Sequence, residues 1–140
     1  MSALLLDTCA VIWLANGELL PAGVLSAVLD AGMTGGVFAS PVSAWEVGML
    51  ANPRGGRPAL RFVPDPKTWF ARVMAAPTVR LAALTAGIAV DASFLPGRLH
   101  GDPADRLLIA TARHLGVPIV TRDAKIKAYA EQGFVEMLDC

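Results

Sequence analysis

The sequence predicts an α/β protein of three layers, with a central parallel sheet of about five short strands covered by helices on both faces. Three observations carry this. Short apolar runs alternate with stretches of helical periodicity along the whole chain. The clearest runs, "ALLLD" (3–7), "GVFAS" (36–40) and "PIVT" (118–121), are continuously apolar up to a polar last residue rather than alternating, as strands buried on both faces are. The 140 residues are 54% hydrophobic, enough for a real core.

The elements follow in order. "ALLLD" is the first strand. Residues 8–16, with Val11, Leu14 and Ala15 at helical spacing, form a helix stopped by Gly17. A second helix runs from Pro21 to Gly32, a second strand covers 36–40, and a third helix covers 41–51 with Pro41 in its first turn. "NPRGGRPALRFVPDP" (52–66) is a Pro/Gly/Arg-rich excursion within one domain, read as mobile, because too little chain flanks it for two cores. Beyond it come a helix over 66–76, a strand over 78–84, and a helix over 85–95 capped by Thr85. A helix over 102–116 is capped by Asp102 and ends at Gly116. The strand 118–121, a helix over 122–133 and a last strand "FVEML" (134–138) complete the chain. There is no internal repeat.

Composition removes several function classes. No apolar run reaches the ~18 residues needed to span a bilayer, and the N-terminus lacks the basic region of a signal peptide, so a cytoplasmic protein is expected. Cys9 and Cys140 are too few for a disulfide framework or a zinc site, and no histidine near Cys9 in sequence would activate it. Twelve basic and twelve acidic residues cancel, but residues 1–50 contain no Lys or Arg, and the bases begin at Arg54. That clustering is a weak signal for a polyanion, since a solvated face explains it equally well. The excess of apolar residues suggests an oligomer or a partner.

In a parallel sheet the ligand sits beyond the carboxyl ends of the strands. Four acids fall there: Asp7 ends the first strand, Glu46 follows the second, Asp105 opens the helix over 102–116, and Asp123 follows "PIVT". Each has a structural alternative. Asp7 and Asp123 suit helix caps, Ser43–Glu46 fits a capping box, and Asp102-Pro103 with Asp105 makes a good helix start. Glu46 is the hardest to dismiss, because Ser40-Pro41 offers an earlier start and its helical neighbours are largely apolar. Several buried carboxylates without adjacent bases would repel and take up protons. A divalent cation with oxygen ligands resolves this and suits phosphodiester hydrolysis, which needs no histidine or cysteine nucleophile.

These segments resemble the PIN-domain ribonucleases, and within them the VapC-type toxins of bacterial toxin–antitoxin pairs. The resemblance covers nearly the whole chain and rests on "LLLDT" (4–8), "SAWEV" (43–47), "HGDPADRLLIATA" (100–112) and "TRD" (121–123) in that order. It implies a PIN-like fold and a metal-dependent endoribonuclease. Asp7 and Asp105 would ligate Mg²⁺ or Mn²⁺ directly, with Glu46 and Asp123 acting through waters or a second ion. Thr8, Thr121, Arg106 and His100 would face substrate. The implied partners are RNA, a small VapB-like antitoxin and a second copy of the chain. Asp102 is not one of the four matched acids and is assigned to starting the helix. The departure is at 52–66, where family members of this subtype often carry a Lys- and Gly-containing stretch and this chain has "ANPRGGRPAL".

Rival readings are a haloacid-dehalogenase-like phosphatase, a receiver-type phosphoacceptor and a non-catalytic interaction module. The first wants a second Asp two residues after Asp7, where Cys9 stands. The second wants paired acids at the first strand and an Asp ending a middle strand. The third has no need to gather carboxylates on one rim. No GxGxxG or Walker pattern is present.

Overall fold

The computed structural model describes residues 2–18, 20–53, 56–99 and 101–140. Its strands are β1 (Ala3–Leu6), β2 (Gly36–Ala39), β3 (Val79–Leu81), β4 (Ile119–Thr121) and β5 (Met137–Asp139). They form one parallel sheet in the order β3-β2-β1-β4-β5. The helices are α1 (Thr8–Ala15), α2 (Ala22–Met33), α3 (Pro41–Ala51), α4 (Pro66–Met74), α5 (Ala86–Ser93), α6 (Pro103–Leu115) and α7 (Ala124–Glu131). This is the expected α/β/α arrangement.

The period-2 alternation of a strand divides the core. Leu4 and Leu6 of β1 point into a cluster with Ala10, Val11, Val24, Val28 and Phe70, from α1, α2 and α4. Leu5 between them points to the opposite face, against Leu108, Ile109, Ile126 and Tyr129 of α6 and α7. The three leucines look like a featureless run in sequence because both faces of β1 are covered. In the excursion, Phe62 is buried in the first cluster, with its ring edge-on to Trp69 at 4.9 Å.

Helix termini follow the local signals. Ser40 caps α3 by accepting from Val42 N–H at 3.0 Å, with Pro41 at the first helical position. Asp102 caps α6, which ends at Gly116 in the left-handed region (φ 68°) that only glycine adopts without strain.

Two strands differ from expectation. β3 is shorter than 78–84 because β2 offers it only Val37, Phe38 and Ala39 as partners. β5 begins at Met137 rather than Phe134. Its register on β4 pairs Ile119 with Met137, and the Phe134 carbonyl is taken by Arg113 instead.

The topology positions the site. From β1 the chain moves to β2 and β3 on one side, then returns to β4 and β5 on the other. The strand order therefore reverses between β1 and β4, and open parallel sheets take their ligands beyond the carboxyl ends of the strands at such a switch point.

Leu108 is 1% exposed beneath α6. Leu108→Ala should lower the unfolding free energy by about 2–5 kcal/mol, read from the urea midpoint. A loss below about 1 kcal/mol would mean that α6 is not seated on the sheet as described.

Candidate active site

Asp7 stands at this switch point, directly after β1. Its N–H continues the sheet by donating to Val120 O at 3.1 Å, and its Oδ1 caps α1 by accepting from Ala10 N–H at 2.8 Å. The Thr121 hydroxyl also donates to the carboxylate. Thr121 is fully buried, and its oxygen accepts the Asp123 N–H at 3.0 Å. One hydroxyl thus ties the ends of β1 and β4 together. Asp123 in turn caps α7, its Oδ1 accepting from Lys125 N–H at 2.8 Å and Ile126 N–H at 3.1 Å. The capping role of both acids is real, and it does not consume Oδ2 of either.

Glu46 reaches the rim from the second turn of α3. Because Ser40 is the cap, Ser43 and Glu46 lie inside the helix and do not form a capping box. The Thr8 hydroxyl donates to Glu46 Oε1 and lies 3.0 Å from the Ser43 oxygen. Thr8 has one proton to give and the carboxylate takes it, so the buried Ser43 hydroxyl donates to Thr8. This link between α3 and α1 escapes sequence reasoning: Ser43 is visible only as a possible cap.

Asp105 sits in the first turn of α6, its N–H donating to the capping Asp102 Oδ1 at 3.2 Å. Burial, with Asp102, Asp123, Glu46 and Asp7 adding to it, pushes its carboxyl up to about 7. Burial also raises Asp7 against the lowering effect of its Thr121 and Ala10 bonds, with Glu46 and Asp123 adding to the rise. Glu46 is raised by burial and by Asp102, and lowered by Thr8. The four predicted acids therefore share one electrostatic environment. Asp102 caps α6 as expected, but its charge acts on the same cluster, which the Asp102–Asp105 spacing already allowed.

The charges named as raising Asp7 and Glu46 are those of other acids, Glu46 and Asp123 for the first and Asp102 for the second. Among the described residues, no three such side chains are drawn together into a ready cage for a cation. The carboxylates line a rim instead of meeting at a point. All the donors are hard oxygens, the set that suits Mg²⁺ or Mn²⁺ rather than a soft metal, and Mg²⁺ usually takes only one or two carboxylates directly with water filling the rest. The residues fit such an ion.

Of the remaining predicted residues, Arg106 donates from Nε to Ala92 O at 2.9 Å and from Nη1 to Leu99 O at 3.5 Å, tying down the connection between α5 and α6. His100 lies outside the described residues. Cys9 is next to the rim, but burial and the neighbouring acids push its thiol up to about 11, so it is no thiolate nucleophile at neutral pH. Arg122, which sequence reasoning includes in "TRD" without giving it a role, stacks its guanidinium 3.5 Å from the centre of the Trp13 ring.

Fold and site together define a three-layer α/β protein with electrostatically coupled carboxylates near the switch point of its parallel sheet. The chain belongs to the PIN-domain family, whose model matches residues 4–132. A stretch of 51 residues is 41% identical to ribonuclease VapC22 of Mycobacterium tuberculosis (strain ATCC 25618 / H37Rv) and covers 36% of this chain and 39% of that relative. The match thus spans well under half of the relative's length. Among solved structures, the chain resembles VapBC2 from Rickettsia felis bound to a promoter DNA fragment, with TM-score 0.67, 12% identity and 98% of each chain covered. It also resembles Mycobacterium tuberculosis VapC20, described as a Sarcin-Ricin loop cleaving toxin, with TM-score 0.54, 22% identity, and 95% of this chain and 97% of that one covered. At these identities the structural likeness shows the fold.

The raised Asp105 carboxyl fixes a sign for pH dependence. Between the ordinary aspartate range and about 7, the folded protein binds more protons there than the unfolded chain, so stability falls as pH rises through that window. The metal-free protein should unfold at lower urea concentration at pH 8 than at pH 5, and Asp105→Asn should narrow the difference. An unchanged difference in the variant would remove Asp105 as its source.

Proposed function

We propose that this chain is a metal-dependent endoribonuclease acting as the toxin of a type II toxin–antitoxin pair. The observation that carries the reading is the gathering of Asp7, Glu46, Asp105 and Asp123 at the switch point, where Glu46 and Asp123 raise the charge cost of Asp7 and all three raise that of Asp105. The names of its relatives support it: one is a ribonuclease, another a Sarcin-Ricin loop cleaving toxin, and a third is solved as VapBC2 bound to DNA.

Asp7 and Asp105 would hold Mg²⁺ or Mn²⁺ directly, and Glu46 and Asp123 would hold its waters or a second ion. When bound, the cation supplies positive charge to the phosphodiester and lowers the pKa of water for attack. The chain's own groups do the rest. Thr121 keeps Asp7 oriented and Asp123 in register with it. Thr8 takes Glu46 Oε1, leaving the other oxygen to orient the attacking water and accept its proton. Arg106 contributes through the connection it secures, and His100 is assigned to the substrate side. The site neutralises an anionic backbone only with the cation in place, which makes cleavage metal-dependent.

The partners of this reading are RNA, a small antitoxin and a second copy of the chain. Met33 and Phe94, 84% and 81% exposed, belong to apolar surface that such partners would cover. No helix among the described residues is long and apolar enough to cross a membrane, and we assign the chain to the cytoplasm.

The test is cleavage of RNA with Mg²⁺ or Mn²⁺. Asp7→Asn and Asp105→Asn should each lose about 10²-fold or more in rate, and EDTA should abolish cleavage. If both variants cleave at the parental rate, the site is wrong. If EDTA has no effect, the metal is wrong.

A further inference from the structure

Arg122 lies between two residues of the rim, Thr121 and Asp123, yet its side chain turns away to two other segments. The guanidinium stacks on Trp13 of α1 at 3.5 Å, and its Nε–H donates to the carbonyl of Cys140, beyond β5, at 3.0 Å. Cys140 N–H donates to Thr121 O at 3.0 Å, which closes the connection. One exposed side chain therefore joins α1, which Asp7 caps, to the β4–α7 turn and the end of β5.

We propose that Arg122 is a positioning residue, a clamp that holds the β4–α7 turn against α1 and so fixes Thr121 and Asp123 relative to Asp7 for cation binding. The inference rests on the metal-nuclease reading above. The turn is short and β4 has only three residues, so the side-chain contacts of Arg122 add to the restraint that Thr121 and the α7 cap already give it. A stacked, planar guanidinium with a directed Nε–H suits the task, whereas lysine has neither the plane nor the fixed donor geometry.

The sign of the effect separates this role from two others. A positive charge near a cation site, acting by charge alone, repels the cation, and its removal would tighten binding. An arginine that contacts RNA phosphate would affect RNA binding without changing cation affinity. A clamp gives weaker cation binding on removal.

The experiment is Mn²⁺ titration of the metal-free protein by calorimetry, comparing the parent with Arg122→Ala, Arg122→Lys and Trp13→Phe. Amide exchange of residues 120–124 is measured in the same metal-free samples. Arg122→Ala should raise the Mn²⁺ Kd about 10–100-fold, as loss of a residue orienting ligands does. It should also speed exchange in the turn and lower kcat for RNA cleavage with KM little changed. Arg122→Lys should not restore the affinity, whereas Trp13→Phe, which keeps a ring under the guanidinium, should stay near the parent. Parental or tighter Mn²⁺ binding by Arg122→Ala overturns the clamp, as does a rise confined to KM. If the parent itself takes up no Mn²⁺, the metal reading falls, and unchanged exchange in the Arg122→Ala turn would then overturn the clamp separately.

Discussion

Asp7 is a carboxylate buried at the end of a central strand, and the rest of the rim is arranged around the cost of keeping it there. Burial disfavours its charge. Two hydrogen bonds, from the Ala10 N–H and the Thr121 hydroxyl, act in the other direction. Neither supplies positive charge, and the neighbouring Glu46 and Asp123 make the cost greater. A buried acid surrounded by other acids is a poor device for stability. Its retention makes sense where a cation completes the site.

The same constraint explains why hydroxyls, more than bases, surround the acids. Thr121, Thr8 and Ser43 are all buried, and each links two segments: Thr121 joins β1 to the β4–α7 turn, and the Ser43–Thr8–Glu46 chain joins α3 to α1. A hydroxyl both donates and accepts, so it orients a carboxylate without neutralising it. A lysine in the same place would hold the acids more firmly and compete with the cation of the proposed function. Arg122 keeps its guanidinium occupied with Trp13 and the Cys140 carbonyl, and there it stiffens the frame around the acids.

Much of this frame was legible in the chain because the signals are local. Ser40-Pro41 and Asp102-Pro103 mark helix starts through geometry confined to a few residues, and both helices begin there. Asp7, Asp105 and Asp123 stand out because each directly follows a strand or opens a helix, and Glu46 because it lies beyond the cap of α3 among apolar neighbours; the topology brings such positions to one edge. Strand limits were less legible. β3 and β5 are set by how many residues their neighbours offer, and that length is a property of the pair. Ser43 looked like a cap because its spacing to Glu46 fits one. Only the packing of α3 against α1 turns it into a partner of Thr8.

The sequence by itself determined the fold class, the order of the elements and the identity of the acids, since periodicity, capping and strand-end position are written in neighbouring residues. The tertiary structure alone decided which charges act on which, that Asp102 belongs to the electrostatic cluster as well as to its helix, and that Arg122 reaches back to Trp13, 109 positions away in the chain. Electrostatic coupling and stacking depend on distance in space, and a folded parallel sheet brings together at its switch point segments that the chain keeps far apart.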